Sequence, residues 1–392
     1  MSEWKETEFG IVPSDWGELT VNELVEQRII EKPLDGNHGN IHPKGNDFIK
    51  EGIPFIMASD IKNGKVDLIN CAFISEEQAN NLQKGFSITN DVLLTHKASL
   101  GRTAIVGELK TPYIMLTPQV TYYRVIDYTK LNNIFLKYFF DSPSFQGILE
   151  NHGNSGSTRA YVGITAQREL PVLMPKIEEQ KSIASILSSL DDKIDLLHRQ
   201  NATLEKMAET LFRQWFIEEA KEDWEMETLY HFADFFNGKA RPNEQGTIPI
   251  YGGNGILGYT NKSNYSGKSI IIGRVGAYCG SLYYETKDIW VSDNALLVKA
   301  KIDNTTHFLF YLMKTLDLNS MAEGSSHPLL TQTLLKTIEI QKPPIQKIYE
   351  FDIILESMQN KIDSNKTQIR TLTALRDTLL PKLMSGEIKV NL

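Results

Sequence analysis

Two segments of the chain repeat apolar residues at alternating steps of four and three, the seven-residue period of a left-handed coiled coil. The first set is Ile183, Leu187, Leu190, Ile194, Leu197, Asn201, Leu204, Ala208, Leu211 and Trp215. The second set is Phe351, Leu355, Met358, Ile362, Asn365, Ile369, Leu372, Arg376, Leu379 and Leu383. Because core helices seldom hold this period for about four heptads, we predict two long helices that pack on each other. The alternative is two amphipathic helices that each lie on a globular domain.

The sequence between these segments predicts mixed α/β domains that are rich in strands. Short apolar runs such as 91–95 and 269–273 are broken by Gly, Asn and Pro. Runs of this length between turn-forming residues are typical of buried strands.

The chain contains an internal repeat. Residues 193–195 (Lys-Ile-Asp) recur as 361–363, an offset of 168, and 175–177 recur at the same offset as 343–345. Upstream the offset drifts, so that Trp16 corresponds to Trp224 at an offset of 208. We expect these two tryptophans to be core residues of two similar domains rather than stacking platforms.

The order of domain, helix, domain and helix sets the direction of the helices. The first helix leaves the first domain and the second starts at the second domain, so a pair of them is antiparallel and relates the domains by a pseudo-twofold axis. We predict domains at 1–175 and 223–342, and spacer helices at 176–222 and 343–392, with Pro381 ending or kinking the second. Asn201 and Asn365 then face each other, where a buried polar pair can set the register of a coiled coil.

Bulk properties limit the classes of protein. The chain has 392 residues and a formal net charge of -8, so a nucleic-acid surface must be a local cationic patch or be shared with a partner. The two cysteines, Cys71 and Cys279, are too few for a disulfide framework, and we expect both to be buried and free. No apolar run is long enough for a membrane span and the start lacks a signal-peptide pattern, which predicts a cytoplasmic protein with no membrane contact.

Motifs of catalysis or cofactor binding have little support. Residues 253–258 match G-x-G-x-x-G, but 259–264 look turn-like where a dinucleotide fold needs a helix. Lys262 stands where a P-loop needs its first glycine, and the Asn/Asp-Pro-Pro-Tyr/Phe signature of methyltransferases is absent. His38 and His42 have a metal-like spacing, but Gly39 and Asn40 disfavour the helix that would align them. We therefore predict a non-catalytic chain with no metal or cofactor of its own.

Two corresponding turns are the best candidates for DNA contacts, 96–103 and 273–280, because each places cationic side chains beside glycines that allow close approach. The alternative is a tight hairpin with a surface salt bridge. The Ser/Thr-rich turns 156–159 and 324–327 could donate to phosphates or only cap the next element. The full candidate set is Lys97, Ser99, Arg102, Thr103, Ser157, Thr158, Arg159, Arg241, Asn254, Arg274, Tyr278, Ser325, Ser326 and His327.

Several segments resemble the specificity subunits of Type I restriction-modification systems. They are the opening 7–16, the approach to the first helix at 170–184, the helix end at 211–216, the stretch 248–259 and the C-terminal 379–387. The resemblance covers essentially the whole chain. One departure is visible, because Gln180 becomes Ile348 in the second copy and Gln346 lies two places early.

The resemblance implies that each domain reads one half of a bipartite double-stranded DNA target. It implies that the helices set the spacing and dock two methyltransferase subunits, with restriction subunits in the full complex. S-adenosylmethionine, Mg and ATP would then be bound by those partner subunits only. Two alternatives remain: a coiled-coil scaffold that never touches DNA, and a DNA-modifying enzyme with an unrecognised active site.

Overall fold

The computed structural model describes residues 3–97, 99–153, 161–324 and 328–390. It divides into two compact units: unit 1 comprises Met1–Asp195 and Ile369–Leu392, and unit 2 comprises Leu196–Gln368. Both units mix helices with β-sheets, as the sequence predicts. The division cuts across both heptad segments, so each unit contains one part of each long helix.

Unit 1 contains most of the strands. They are β1 (Trp4–Thr7), β2 (Gly10–Pro13), β3 (Gly17–Thr20), β4 (Leu34–Asp35), β5 (Ile53–Ile56), β6 (Ile61–Lys62), β7 (Gly64–Val66), β8 (Ala72–Ile74), β9 (Phe86–Ser87), β10 (Val92–Thr95), β11 (Thr103–Ile105), β12 (Ile114–Leu116), β13 (Val120–Tyr123) and β14 (Pro171–Met174). Its helices are α1 (Val21–Glu26), α2 (Glu76–Asn80), α3 (Asn133–Asp141), α4 (Pro143–Gly153), α5 (Ile164–Arg168) and the first part of α6 (Ile177–Arg213).

Two larger sheets organise unit 1. Their strand orders are β4-β13-β10-β11-β7-β6 and β8-β5-β12-β9. The strand β10 is buried at all four positions and pairs antiparallel with β13 and β11. Helix α3 is buried along most of its length because its Phe135, Phe139 and Phe140 belong to the largest core of this unit.

Unit 2 has fewer strands. They are β15 (Met226–Thr228), β16 (Ala233–Asn237), β17 (Ile248–Gly252), β18 (Gly255–Thr260), β19 (Ser269–Gly273), β20 (Leu282–Glu285), β21 (Trp290–Val291), β22 (Ala295–Ala300) and β23 (Glu339–Gln341). Its helices are α7 (Leu229–Phe232), α8 (Thr306–Thr315), α9 (Gln332–Thr337) and α10 (Ile345–Met384), the last of which continues into unit 1.

The sheets of unit 2 repeat the connections found in unit 1. The strand β19 pairs antiparallel with β22 and β20, as β10 does with β13 and β11. The strand β17 pairs parallel with β21, as β5 does with β12. Each unit therefore has one central, fully buried strand whose C-terminal end leads into one of the two candidate turns.

The long helices differ slightly from the predicted spans. Helix α6 covers Ile177–Arg213, and a π-helical turn follows at Gln214–Glu218, so the regular helix is shorter than the predicted 176–222. Helix α10 covers Ile345–Met384 and continues for three residues beyond Pro381. Pro381 thus does not end the helix.

The heptad residues are all buried or partly buried. Within unit 2, Asn365 Nδ2 donates to Asn201 Oδ1 at 2.8 Å and to Gln200 Oε1 at 2.8 Å. The rings of Phe212 and Phe351 lie 5.7 Å apart. Because 201 meets 365 and 212 meets 351, the two helical segments of unit 2 run in opposite directions, and the predicted pair of asparagines is in contact.

At its C-terminal end α6 packs both on α10 and on the globular part of unit 2. Phe212 and Phe216, which lie outside the predicted heptad set, are buried in the unit 2 core, whereas the predicted Leu211 and Trp215 are partly buried. The ring of Phe212 lies 5.9 Å from the ring of Phe308 in α8. Both packings, helix on helix and helix on domain, therefore occur at this end of α6.

Within unit 1, Arg376 is the charged residue of the second heptad set. Its Nη1 donates to Asp191 of α6 at 2.8 Å, and Asp191 also accepts the Tyr138 hydroxyl of α3 at 2.6 Å. Burial disfavours the ionised form of Asp191, but these hydrogen bonds outweigh it and lower its pKa. The guanidinium therefore joins both long helices to α3.

The predicted anchors are buried. Trp16 is in the core of unit 1 and Trp224 in the core of unit 2. Cys71 and Cys279 are both buried and free. Among the residues that the structure describes, none of the helices is long and apolar enough to pass through a membrane.

Candidate nucleic-acid interface

In unit 1 the candidate turn begins directly after β10. Lys97 is exposed, and its backbone forms an isolated bridge with Tyr161, whose ring centroid lies 5.7 Å from Lys97 Nζ. A cleft beside it is also lined by Lys44 and Gln119. Lys97 and Lys44 thus place two cationic side chains at the same cleft.

In unit 2 the corresponding turn begins directly after β19. The backbone N–H of Arg274 donates to Asn294 O at 3.1 Å, and its carbonyl accepts from Leu330 N at 2.9 Å. The side chain is partly buried, and its Nη1 donates to Asn237 Oδ1 at 3.3 Å. The turn therefore holds the arginine backbone from two sides.

The backbone contacts show which residue of unit 1 corresponds to Arg274. His96 N donates to Gln119 O at 2.9 Å, and His96 O accepts from Val162 N at 3.1 Å. These are the contacts that Arg274 makes with Asn294 and Leu330. The side-chain partners correspond as well, because Asp35 of β4 takes the place that Asn237 has in β16.

The His96 site is buried and neutral. Its side chain is fully buried, and Nδ1 lies 3.1 Å from Val162 O, to which it must donate because a carbonyl only accepts. Nε2 has no hydrogen-bond partner among the described residues and lies 3.9 Å from Asp35 Oδ2. Burial lowers the pKa of His96 to about 4. This position therefore carries no charge at neutral pH.

Asp35 has partners that keep it ionised. Burial opposes ionisation, but hydrogen bonds from Lys84 and from His38, at 2.9 Å, lower its pKa overall. His38 is thus engaged by Asp35, and His42 lies in the cleft beside Lys97. Within the described ranges, no group of three or more His, Cys, Asp and Glu residues is placed to hold a metal ion.

The structure brings Asn254 and Tyr278 close to Arg274. Residues 253–254 form the turn of the β17–β18 hairpin, and Tyr283 Oη donates to Gly253 O at 3.2 Å. A Cβ atom on Gly273 would lie 2.3 Å from Tyr278 O and 2.8 Å from Gly253 O, so only glycine fits between these loops. Asn254 and Tyr278 are both exposed.

The structure of this hairpin argues against a phosphate-binding role for residues 253–258, the G-x-G-x-x-G match. Gly253 lies in the hairpin turn, Gly255 and Gly258 belong to β18, and this strand extends to Thr260 where the sequence suggests a turn. The phosphate-binding form of the motif requires a helix directly after the glycines, and here a strand takes its place.

Three further candidates of unit 1 lie at the far side of the turn. Arg102 is exposed and its Nη1 donates to Ala58 O at 3.3 Å, and Ser99 is partly buried. Thr103 is a wrong candidate for a surface contact. It lies in β11, is 5% exposed, and its hydroxyl donates to Asp141 of α3. Burial and the hydrogen bond to Asp141 thus hold this hydroxyl inside the unit.

The remaining candidates divide in two. Arg241 is exposed in the loop between β16 and β17, beyond Lys239, whose N–H donates to Val291 O at 3.0 Å. The others lie outside the described residues: Ser157, Thr158, Arg159, Ser325, Ser326 and His327.

Sequence reasoning missed His96, at the candidate turn of unit 1, and Asp352, which lies outside both turns and joins α10 to α8. His96 was not singled out because the repeat offset drifts upstream of the helices, and only the strand register aligns it with Arg274. Asp352 of α10 accepts His307 N at 3.1 Å and Phe308 N at 2.9 Å, and so caps α8. In unit 1 the side chain of Gln180 in α6 accepts Asn132 N at 2.9 Å, one residue before α3. Ile348, which corresponds to Gln180, cannot make such a hydrogen bond. Asp352, one helical turn later in α10, makes the equivalent contact with the start of α8.

Comparison with known proteins gives a consistent result. The model of the family "Type I restriction modification DNA specificity domain" matches residues 13–206 and 221–374. The chain is 25% identical to the Type I restriction enzyme MjaIX specificity subunit of Methanocaldococcus jannaschii, over 99% of this chain and 97% of that protein. It is 26% identical to the Type I restriction enzyme EcoBI specificity subunit of Escherichia coli, over 55% of this chain and 44% of that protein.

The fold is similar to the crystal structure of the S subunit of a Type I restriction-modification system from M. genitalium. The TM-score is 0.64 at 19% identity, and the match covers 96% of this chain and 97% of that one. The family model matches both halves of the chain, which shows that the chain belongs to the family of Type I restriction-modification DNA specificity domains.

Proposed function

We propose that the two units each read one block of a bipartite double-stranded DNA target. The chain is a specificity subunit, so it supplies sequence recognition and is not the catalyst. The observation that carries the proposal is that each unit has the same central strand connections and opens into a polar turn at the same strand end, after β10 and after β19. Such turns can place side chains in a DNA groove.

We further propose that α6 and α10 pair along their length as an antiparallel coiled coil with pseudo-twofold symmetry and act as a spacer. The Asn201–Asn365 hydrogen bond in unit 2 and the Asp191–Arg376 ion pair in unit 1 support this pairing. A helix of 37 residues is about 55 Å long at 1.5 Å per residue. This length suits recognition blocks about one DNA turn or more apart.

The spacer helices are also the proposed docking surface for two methyltransferase subunits, with restriction subunits completing the complex. S-adenosylmethionine, Mg and ATP would be bound by those partners. The cytoplasmic location expected from the sequence and the domain limits 1–175, 176–222, 223–342 and 343–392 remain predictions.

Mapping of methylated adenines tests the proposal. The chain is co-expressed with its methyltransferase subunits in cells without other adenine methylation. We expect two short specific blocks separated by a fixed unspecific gap. Methylation that follows a single continuous motif, or none, would contradict the proposal, and methylation unchanged in a variant that lacks both Lys97 and Arg274 would favour the scaffold alternative.

A further inference from the structure

We infer that Arg274 is the residue of unit 2 that reads a guanine, through the major-groove edge of that base, and that unit 1 has no such reader at the corresponding position. The inference rests on the proposed function. It adds which residue reads a base, which base is read, and which of the two target blocks contains that base.

The position of Arg274 is fixed by the sheet. Its N–H and its carbonyl are both bonded to backbone, to Asn294 and Leu330, and the carbonyl also accepts Cys279 Sγ at 3.3 Å. A backbone held in this way loses little further conformational entropy on binding. The guanidinium is therefore presented from a rigid element, which base discrimination needs.

Part of the Arg274 guanidinium makes no hydrogen bond to a described residue. Nη1 has only the 3.3 Å contact with Asn237, and Nη2 makes no hydrogen bond to a described residue, whereas Nε is buried and faces away from solvent. By contrast, Arg124 in unit 1 places Nε and Nη2 at 2.8 Å from the two Asp91 oxygens, and its Nη1 at 3.0 Å from Glu31 Oε2. Each of the three guanidinium nitrogens of Arg124 thus donates to a carboxylate of the same unit. The two terminal nitrogens of Arg274, Nη1 and Nη2, remain for an external acceptor pair, and guanine O6 and N7 are such a pair.

The surroundings of Arg274 allow a base edge to approach. Gly276 follows two residues later with a φ of +70°, and a Cβ placed there would have no atom within 4 Å. Tyr278 is 50% exposed and Asn254 lies at the tip of the neighbouring hairpin. Among the described residues, the flanking side chains therefore border the surface beside Arg274 and do not cover it.

A base contact fits Arg274 better than a phosphate contact. Lys239 and Arg241 of the same unit are exposed on the preceding loop, where long flexible cations suit the phosphate backbone. Arg274 is partly buried and tied to a strand end, so its reach is short and its direction is defined. Those properties give specificity rather than general affinity.

Unit 1 differs at the corresponding position in a way that removes this function. His96 is fully buried, is held by Val162 and is neutral because burial lowers its pKa to about 4. It has no surface through which to reach a base. The two blocks of the target are therefore read by different residue sets, and guanine recognition from the position of Arg274 belongs to the block of unit 2 alone.

The experiment uses the complete methyltransferase complex and a plasmid library in which each position of both target blocks is randomised. The wild-type chain is compared with Arg274→Ala, Arg274→Lys and the matched control Arg241→Ala. For Arg274→Ala we expect one guanine of one block to lose its selectivity by about 5- to 150-fold, with the other block unchanged. Arg274→Lys should fall in between, because an ammonium group lacks the bidentate fork. Arg241→Ala should lower methylation of all sequences alike.

Each other outcome counts against the inference. A uniform loss with Arg274→Ala would assign the residue to phosphate or to folding, and an unchanged motif would exclude a reading role. If Arg274→Ala fails to assemble, Arg274→Lys decides, since it keeps the charge and the aliphatic stem: full guanine selectivity with Lys would overturn the bidentate contact. Failure of the wild-type complex to methylate a split motif would instead contradict the proposed function itself.

Discussion

Asn365 of α10 donates its side-chain amide to Asn201 of α6 at 2.8 Å, and Asn365 is fully buried. Leucine or isoleucine at either position would bury more apolar surface. A polar pair at this place costs stability and favours the one register in which both amides find each other.

Replacement of one asparagine should lower the free energy of unfolding more than replacement of both. Asn365→Leu leaves the buried Asn201 amide without its donor, and we expect the free energy of unfolding to fall by about 1–3 kcal/mol. The double variant Asn201→Leu/Asn365→Leu should recover most of this loss. Urea unfolding of the single and double variants gives the coupling energy. Additive losses would show that the two side chains do not depend on each other, and Lys206→Ala, on the exposed side of α6, serves as control.

Asp352 is a buried carboxylate of α10, and we expect it to be important for stability. Its carboxylate accepts His307 N and Phe308 N at the start of α8, whose N-cap Thr305 makes no side-chain cap. Asp352→Ala should lower the free energy of unfolding by about 2–3 kcal/mol. Hydrogen exchange of the first turn of α8 locates the effect. A loss no larger than that of Gln346→Ala, at an exposed position of the same helix, would contradict this role.

The buried His96 should make stability depend on pH. Its pKa lies near 4 in the folded chain against the ordinary 6.5. Between these values the unfolded chain binds a proton that the folded chain does not, so stability rises with pH. From pH 7.5 to pH 5 we expect a loss of about 2 kcal/mol from this group.

The variant His96→Gln isolates that contribution. Its amide can still donate to Val162 O but does not titrate. Its stability should therefore change less with pH than that of the wild type, as measured by denaturant unfolding at both pH values. His42, whose pKa burial also lowers, is common to both proteins and cancels in the difference. Identical pH profiles would show that His96 binds protons alike in the folded and unfolded chain, which would contradict a lowered pKa.

Binding of DNA should be weak for the chain alone. Its formal net charge is -8, and the exposed cations Lys97 and Arg241 are placed in separate units. We expect affinity to rise at least about tenfold when methyltransferase subunits supply further cationic contacts. A gel-shift titration at one fixed salt concentration measures both states. Equal affinity with and without the partner would contradict the shared binding.

Some residues of this protein were predictable because their signal is local. The heptad positions follow from helix geometry, so the contact between Asn201 and Asn365 could be read from spacing alone. Trp16 and Trp224 were predictable because a large aromatic side chain at matching places of a repeat belongs in a core. The candidate turn at Arg274 followed from an apolar run that ends in glycine and a cation.

Other residues became visible only in the fold. In the sequence Thr103 looks like a polar residue of a turn, but in the fold it lies in β11 and its hydroxyl donates to Asp141. Phe212 and Phe216 lie outside the heptad set but are buried, because the core of unit 2 packs on the same end of α6 as the helix pair does.

By itself the sequence determined the two heptad segments, the repeated domains and the strand ends where cationic turns begin, since each of these depends on neighbours a few residues apart. Only the tertiary structure decided that His96, and not Lys97, occupies the place of Arg274, and that Asp352 takes over a role that Gln180 has in the other unit. The physical reason is that these partners lie tens of residues apart in sequence. Which of them meet depends on the pairing of strands and the packing of helices on sheets, which no spacing along the chain encodes.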